Sequence, residues 1–328
     1  MSHTGVAGLT LGGGLGWLHR RLGLTVDRLR AVELVTAGGD RITASDDEHP
    51  ELFWGLRGGG GNFGVAIAFT FELSPVGPTV LAGPILWPIA RAREVLRFYR
   101  RWCAEAPDEL MTLVVQRKAP PLPAIPRALH GELVIAVVCC WAGPIDEGER
   151  VLAPLRTLGG PALDLCLPKP YVEHQTTFDA AFPHGWRYYF RACDLPELTD
   201  GAIDALVEGG RRIASPVTSA AFFQMGGAVA RVPDDATAFN GRGAGFTVNI
   251  NGNSTSAEGF DAEREWVHDL SAALRPHEAG VYVNFLMEEG RDRIRRAYGE
   301  AKWARLTALK RAWDPDNLFR LNQNIPPD

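Results

Sequence analysis

Cysteine is scarce and its spacing carries no motif: Cys103, Cys139, Cys140, Cys166 and Cys193 are an odd number without a Cys-x-x-Cys step. That pattern excludes a cysteine-ligated zinc module and a thioredoxin-type redox pair, and buried free thiols are the expectation. Long apolar runs are also missing. The longest, Leu133–Ala142, falls well short of the roughly 20 residues a membrane-crossing helix needs and reads as a buried strand. Positive charge is not in excess, with 34 Lys and Arg against 39 Asp and Glu and a net charge of -5. Nothing therefore pulls the chain as a whole toward nucleic acid or an anionic membrane. No signal-peptide pattern opens the sequence, an absence that says little where the true N-terminus is missing, so the compartment stays open with the cytoplasm slightly favoured. Internal repeats and low-complexity tracts are lacking as well.

What is present is the composition of an ordinary globular protein, 328 residues with 46% hydrophobic and 22% charged. At roughly 150 residues per domain that length suggests two domains. The opening is crowded with glycine, at positions 5, 8, 12, 13, 14 and 16, a density that serves a backbone needing positive φ or close approach. Ala31–Thr36 then alternates, Gly38-Gly39-Asp40 turns, and Arg41–Ala44 returns, which predicts a hairpin. Ser45 with Glu48 forms a capping box for a short helix through Leu52 and Leu56. After the loop Gly58–Gly64, the residues Val65, Ile67, Phe69, Phe71 and Leu73 alternate with smaller or polar ones, as in a strand with one apolar face.

From Leu81 to Glu278 the pattern predicts a separate antiparallel α+β domain. Its strands are Leu113–Gln116, Glu132–Trp141, Ala220–Met225 and Phe246–Ile250, and its helices 90–106, 146–158, 200–214 and 257–274. A last block begins with a predicted strand Val281–Leu286. It continues as a helix from Arg291 to Trp313, with Leu306, Leu309 and Trp313 on one face and Asp314-Pro315 as its stop.

Gly59 to Gly64 satisfies G-x-G-x-x-G, yet a Rossmann loop leaves a strand and opens a helix. Here a capped helix precedes the loop and a strand follows, so nicotinamide dinucleotide binding by that route is rejected. A tight turn explains one isolated glycine cluster. Two clusters beside apolar strands point instead to backbone laid against a flat or phosphate-bearing ligand.

Three stretches carry a family resemblance. S-H-T-G-V-A-G-L-T-L-G-G-G-L-G-W, then G-L-T-V-D-R-L, then L-F-W-G-L-R-G-G-G-G-N-F-G-V resemble the second half of the PCMH-type FAD domain of the berberine-bridge-enzyme-like, vanillyl-alcohol-oxidase group. The ending Y-V-N-F, Y-G-E-A-K-W-A-R-L and D-P-D-N-L-F-R-L-N-Q-N-I-P-P is similar to the family's berberine-like segment. The resemblance implies an α+β fold in three blocks: 1–78 as the second half of an FAD-binding domain, 79–278 as a substrate domain, and 279–328 returning to the first. It also implies that a subdomain with a pyrophosphate loop and a flavin-linking histidine precedes the opening motif, so that the chain is N-terminally truncated.

By the same resemblance Thr4, Gly5, Val6 and Gly8 should pass along the flavin or its pyrophosphate. Gly64 with Val65 should border the adenosine half, and Asn284 should lie near the flavin ring. Tyr282 corresponds to a family tyrosine that takes a proton from substrate while hydride passes to flavin N5. A free tyrosine has a pKa of about 10, so that role needs a partner to stabilise the phenolate. Tyr189, Arg191, Gln224, Asn249 and Asn251 are weaker pocket candidates, the two asparagines sharing one strand face by alternation. His3 and His184 read as structural or solvated. The expected function is an FAD-dependent oxidase or dehydrogenase acting on an alcohol, sugar or secondary-metabolite carbon in a small molecule, with no metal, nucleic-acid or membrane partner. The alternative is a non-catalytic remnant or gene fragment with little or no flavin binding.

Overall fold

A computed structural model of the protein describes residues 1–287 and 289–327. The chain divides into two compact units. One, the glycine-loop unit, gathers Thr4–Pro75, Gly226–Gly243 and Gly280–Asp328; the other, the sheet unit, gathers Met1–His3, Val76–Met225 and Ala244–Ala279. The unit boundaries and the three sequence blocks cut the chain at different places, because residues 226–243 join the glycine-loop unit.

The glycine-loop unit contains strands β1 (Leu29–Val35), β2 (Arg41–Ser45) and β3 (Val65–Phe71), antiparallel in the order β2-β1-β3. β1 and β2 are the expected hairpin, with Leu34 opposite Ile42 and Gly39 supplying the positive φ of +88° at the turn. Val32 and Leu34 are fully buried. The capping box acts one turn earlier than expected. Ser45 Oγ accepts from the Glu48 amide at 3.1 Å, but the helix spans Pro50–Leu56. Proline at its first position starts it, since the fixed φ suits the first turn and the missing N–H has no partner to lose.

The strand expected at Val281–Leu286 is absent; Val283–Phe285 is a 3-10 turn instead. Its amides are satisfied locally, Phe285 N on the Tyr282 carbonyl at 3.0 Å and Leu286 N on Val283 at 3.1 Å, and no ladder is needed. Helical sequence then runs Arg291–Trp313, broken at Gly299, whose φ of 71° no helix contains. Leu306 and Leu309 face inward as expected. A Cβ on Gly55 would meet Leu309 at 2.2 Å and one on Gly59 would meet Leu306 at 2.8 Å, so these two glycines exist to admit the C-terminal helix.

The end of that helix is locked by charge. Lys310 and Asp314 are fully buried. Lys310 Nζ donates to Asp314 at 2.6 Å and to the carbonyls of Asn62 and Phe319 at 2.8 Å each. Asp314 also accepts from the amides of Leu318 and Phe319 at 2.8 and 2.9 Å. Asn62 completes the lock: its Nδ2 donates to the Gly59 carbonyl and its Oδ1 accepts from the Ile325 amide.

In the sheet unit β4 (Thr79–Pro88), β5 (Leu110–Lys118), β6 (Leu133–Trp141), β7 (Leu163–Asp164), β8 (Leu167–Pro170), β9 (Arg187–Leu195), β10 (Ser219–Gln224) and β11 (Phe246–Ser254) form one antiparallel sheet. The order is β7-β4-β6-β5-β10-β11-β9, with β8 also pairing on β4. Helices Ala92–Ala104, Ile145–Thr157, Asp200–Arg211 and Phe260–Leu274 supply the apolar cover. Thr199 caps the third, accepting from the Ala202 amide at 3.1 Å. Tyr99, Phe222 and Phe246 meet with ring centroids 5.8 to 6.1 Å apart at the middle of a continuous core, each buried aromatic contributing about 1.5–3 kcal/mol.

Candidate functional site

The opening glycines fall into two kinds. Val6–Leu11 is a short helix followed by Gly12, Gly13 and Gly14. At these three, a Cβ would strike Asn284 Oδ1 at 2.0 Å, the Phe239 ring at 2.7 Å and Thr25 Oγ1 at 2.3 Å respectively. They are glycine because other side chains press on the backbone. At Gly5, Gly8 and Gly16 nothing lies within 4 Å of the same position. Thr4, Gly5, Val6 and Gly8 are all exposed, Val6 to 57%. An aliphatic side chain so exposed beside open backbone is unusual enough to ask what lies against it.

The two glycine clusters meet. Gly58 N and Gly60 N both donate to the Leu11 carbonyl at 2.9 Å. Gly58 takes a φ of +131°, and a Cβ there would sit 2.1 Å from Phe239 N. Further on, Gly64 is buried; a Cβ there would lie 2.7 Å from Leu34 Cδ1 and from the Val35 carbonyl. Close approach of β3 to β1 is therefore reason enough for glycine at 64. Val65 beside it is 54% exposed and Ile67 49%.

Tyr282 sits where these pieces converge. Its ring is 2% exposed, edge-on to Phe285 at 4.9 Å and to Phe239 at 6.0 Å. Three N–H groups point at its hydroxyl oxygen: the Gly14 amide at 2.9 Å, the Asn284 side-chain amide at 2.8 Å and the Leu15 amide at 3.4 Å. Asn284 also donates to the Leu9 carbonyl at 3.0 Å, which lays its carboxamide across Gly12. The structure brings Tyr282 and Asn284 together against Leu9 and the stretch Gly12–Leu15, whereas nothing lies within 4 Å of a Cβ at Gly5 or Gly8. The sequence reading gave no weight to Phe239, Asp27 or Arg242. Phe239 N bonds the Arg57 carbonyl, and Lys302 Nζ donates to the Phe239 carbonyl at 2.6 Å. Asp27 and Arg242 form an ion pair at 2.7 Å, side chains 8% and 2% exposed.

The weaker candidates all lie in the sheet unit. Gln224 is a satisfied core residue, accepting from Thr112 Oγ1 at 2.7 Å and donating to the Cys103 carbonyl at 3.0 Å. Tyr189 turns toward the helix Phe260–Leu274, its hydroxyl 3.2 Å from His268 Nε2, and Arg191 Nε lies 3.4 Å from that hydroxyl. Asn249 and Asn251 share the other face, as alternation requires. Asn251 Nδ2 reaches the Asn249 carbonyl at 3.2 Å, while Asn249 Oδ1 is buried without a hydrogen-bond partner. His3 and His184 contact each other, ring centroids 5.7 Å apart. All five cysteines are free and buried, and burial pushes the Cys140 thiol up to about 12, away from the reactive thiolate.

A flavin dinucleotide needs unobstructed backbone for its diphosphate and apolar surface for its ring system. The run Thr4–Gly8 offers open glycines and an exposed valine, and exposed Asn284 adds an amide beside it. The residues present fit that group. A mixed α+β chain with an antiparallel sheet unit and a glycine-lined loop unit is the architecture of a PCMH-type flavin oxidase. The solved structure of 6-hydroxy-D-nicotine oxidase from Arthrobacter nicotinovorans matches it with a TM-score of 0.84 at 27% identity, covering 99% of this chain and 72% of that one.

The family model described as berberine and berberine like matches residues 281–326. An FAD-linked oxidoreductase of Dictyostelium discoideum is 31% identical over 331 residues, covering 100% of this chain and 69% of the relative. An uncharacterised FAD-linked oxidoreductase of Bacillus subtilis is 32% identical over 336 residues, covering 100% and 71%. The chain belongs to the berberine-like family of FAD-linked oxidoreductases, and FAD is its cofactor. The chain spans 69% and 71% of the length of these two relatives. Among the described residues no helix is long and apolar enough to cross a membrane.

Proposed function

We propose that the protein oxidises an alcohol, sugar or secondary-metabolite carbon of a small molecule, with FAD taking the hydride and Tyr282 the proton. The observation that carries this reading is the meeting of the Gly14, Leu15 and Asn284 N–H groups on the Tyr282 hydroxyl. Donors aimed at a phenol oxygen favour its charged form. They do the work expected of a cation, and buried backbone dipoles fixed in advance need no reorganisation when charge develops.

FAD, when bound, would supply the two-electron acceptor for the substrate's hydride. Thr4, Gly5, Val6 and Gly8 provide the open surface for it, Gly64 and Val65 border the adenosine half, and Asn284 holds its amide between that surface and Tyr282. Phe239 and Phe285 exclude water from the Tyr282 ring, which strengthens the hydrogen bonds on its oxygen. The substrate loses one hydride and one proton, the proton passing to Tyr282 Oη, and oxygen is the proposed final acceptor.

Tyr282→Phe tests the assignment, since it deletes the acceptor and hardly changes volume. Loss of a general base slows a reaction about 100- to 10,000-fold. Flavin reduction by substrate in a rapid-mixing experiment should slow by that order with FAD still bound, and a change under about threefold removes Tyr282 from the chemistry.

A further inference from the structure

We propose that the buried Asp27–Arg242 pair positions the two backbone N–H groups that converge on the Tyr282 hydroxyl, making Asp27 and Arg242 positioning residues for proton acceptance. The inference rests on the reading of Tyr282 above, and the argument follows peptide units one at a time.

The Gly14 N–H that donates to Tyr282 belongs to the same peptide as the Gly13 carbonyl, and that carbonyl accepts from Val26 N at 3.0 Å. The Leu15 N–H shares its peptide with the Gly14 carbonyl, which accepts from Thr25 N at 3.1 Å and Thr25 Oγ1 at 3.3 Å. Both donors to Tyr282 are thus gripped from behind by Thr25–Arg28, a single 3-10 turn. The grip matters because Gly13 and Gly14, at φ +132° and +97°, have the widest rotational freedom of any residue. A carbonyl that already accepts a hydrogen bond also makes its own N–H a stronger donor.

Asp27 fixes the turn itself. Its Oδ2 accepts from the Leu24 amide at 2.8 Å, closing the turn, and both its oxygens take Arg242, at 2.7 and 3.2 Å. Arg242 is anchored in turn by Thr237 Oγ1 at 2.9 Å and the Val229 carbonyl at 3.3 Å. Its guanidinium also lies 5.5 Å over the Phe239 ring, the ring that fills the space at Gly13 and meets Tyr282 edge-on. One arginine therefore braces the donors through Asp27 and the phenol through Phe239. The groups described against Tyr282, namely Gly13, Gly14, Leu15, Phe239, Asn284 and Phe285, bear no titratable side chain. Charged groups on the elements around them are Asp27, Arg28, Arg57, Asp234, Asp235, Arg242 and Lys302, the last donating to the Phe239 carbonyl; burial lowers the Arg57 guanidinium, with Asp46 and Asp27 opposing and Arg242 adding to that fall.

The test uses the FAD-loaded enzyme and reads Tyr282 directly. Subtracting the ultraviolet titration of Tyr282→Phe from that of the enzyme isolates tyrosinate formation at this one residue. In Asp27→Asn, with FAD content and circular dichroism as in the parent, the Tyr282 ionisation should move up by about one pH unit. Flavin reduction should be about tenfold slower near neutral pH and recover in alkali, where the phenol ionises in both proteins. Adding Asp27→Asn to Tyr282→Phe should change reduction no further. An unmoved Tyr282 ionisation in folded Asp27→Asn overturns the proposal. A moved ionisation with normal reduction by Tyr282→Phe upholds the positioning and removes the base role instead. If Asp27→Asn does not fold, Arg242→Lys, which keeps the charge and loses the two-point grip, is read by the same titration with the same two outcomes.

Discussion

In the sheet unit one apolar cluster runs from Leu81 to Leu274, and the buried Thr112 and Gln224 side chains bond to each other. In the glycine-loop unit comparable interior positions hold charges, Lys310 on Asp314 and Arg242 on Asp27. Apolar burial has no direction and tolerates rearrangement within a fixed volume. An ion pair tied by several hydrogen bonds fixes the groups around it in direction as well as in distance. A unit that must hold several glycines in one shape needs the second kind of contact, since glycine has the most freedom to lose.

The contrast is broken most strongly by comparing Lys310→Met with Phe222→Ala. Each should lower stability by about 3–5 kcal/mol in denaturant unfolding, one by stranding a buried carboxylate and the other by leaving a cavity. Their acid dependence should differ. Burial disfavours the Asp314 carboxylate, but the Lys310 ammonium and the amides of Phe319 and Leu318 outweigh it and hold the group below its ordinary range. The folded pKa is depressed, so this stabilisation is present above the unfolded value of about 4 and lost as pH falls through the folded one. Phe222→Ala should shift the whole stability-against-pH curve without changing its acid slope, whereas Lys310→Met should flatten it. Parallel curves for both would mean the charge pair acts as mere filling.

A smaller effect separates the two kinds of glycine. Gly12→Ala pushes away the Asn284 amide and should cost about 1–3 kcal/mol in thermal unfolding, with FAD affinity falling as a consequence. Gly8→Ala meets nothing and should leave stability within about 0.5 kcal/mol while weakening FAD in a fluorescence titration. Unchanged FAD affinity in Gly8→Ala would mean that Thr4–Gly8 is not the flavin surface.

The smallest effect lies in the sheet unit. Burial pushes His174 down to about 3, with Lys169 and the terminal amine adding to the fall. Its folded pKa is below the unfolded value of about 6.5, so the unfolded chain takes up a proton first; stability is whole above that pH and declines below it. Between about pH 7 and 6 the loss should stay under about 1 kcal/mol, read as hydrogen exchange of residues 171–177. His174→Gln should remove that slope, and an unchanged slope would place its origin elsewhere.

Much of this was legible from residues alone where periodicity and turn chemistry agree. The β1–β2 hairpin, the strands β5, β6, β10 and β11, and the facing of Leu306 and Leu309 are of that kind. β4 was not, because Gly83, Pro84 and Pro88 interrupt its apolar run and read as loop. The 281–286 segment alternates like a strand, yet its polar members bond to the 9–15 loop rather than leaving the backbone to a ladder, which no local pattern encodes. Tyr282 and Asn284 stood out through a family motif. Their braces did not: Phe239 and Arg242 come from a stretch without periodicity between β10 and β11, and Asp27 looks like any turn aspartate until Arg242 is seen on it.

Residues 226–243, which bring Phe239 and Arg242 to the glycine loops, also bear on how the molecule is made. The glycine-loop unit is assembled from pieces separated by residues 76–225 and 244–279, so its contacts span most of the chain, a high contact order that slows folding. During synthesis its first piece emerges early and must wait with the face of Pro50–Leu56 and Gly59 that receives Leu309 and Leu306 uncovered until the C-terminal helix leaves the ribosome. The sheet unit lacks only Ala244–Ala279 by the time β10 appears. Folding should therefore be sequential, with the waiting first piece as the species that chaperones meet and that aggregates when they are scarce.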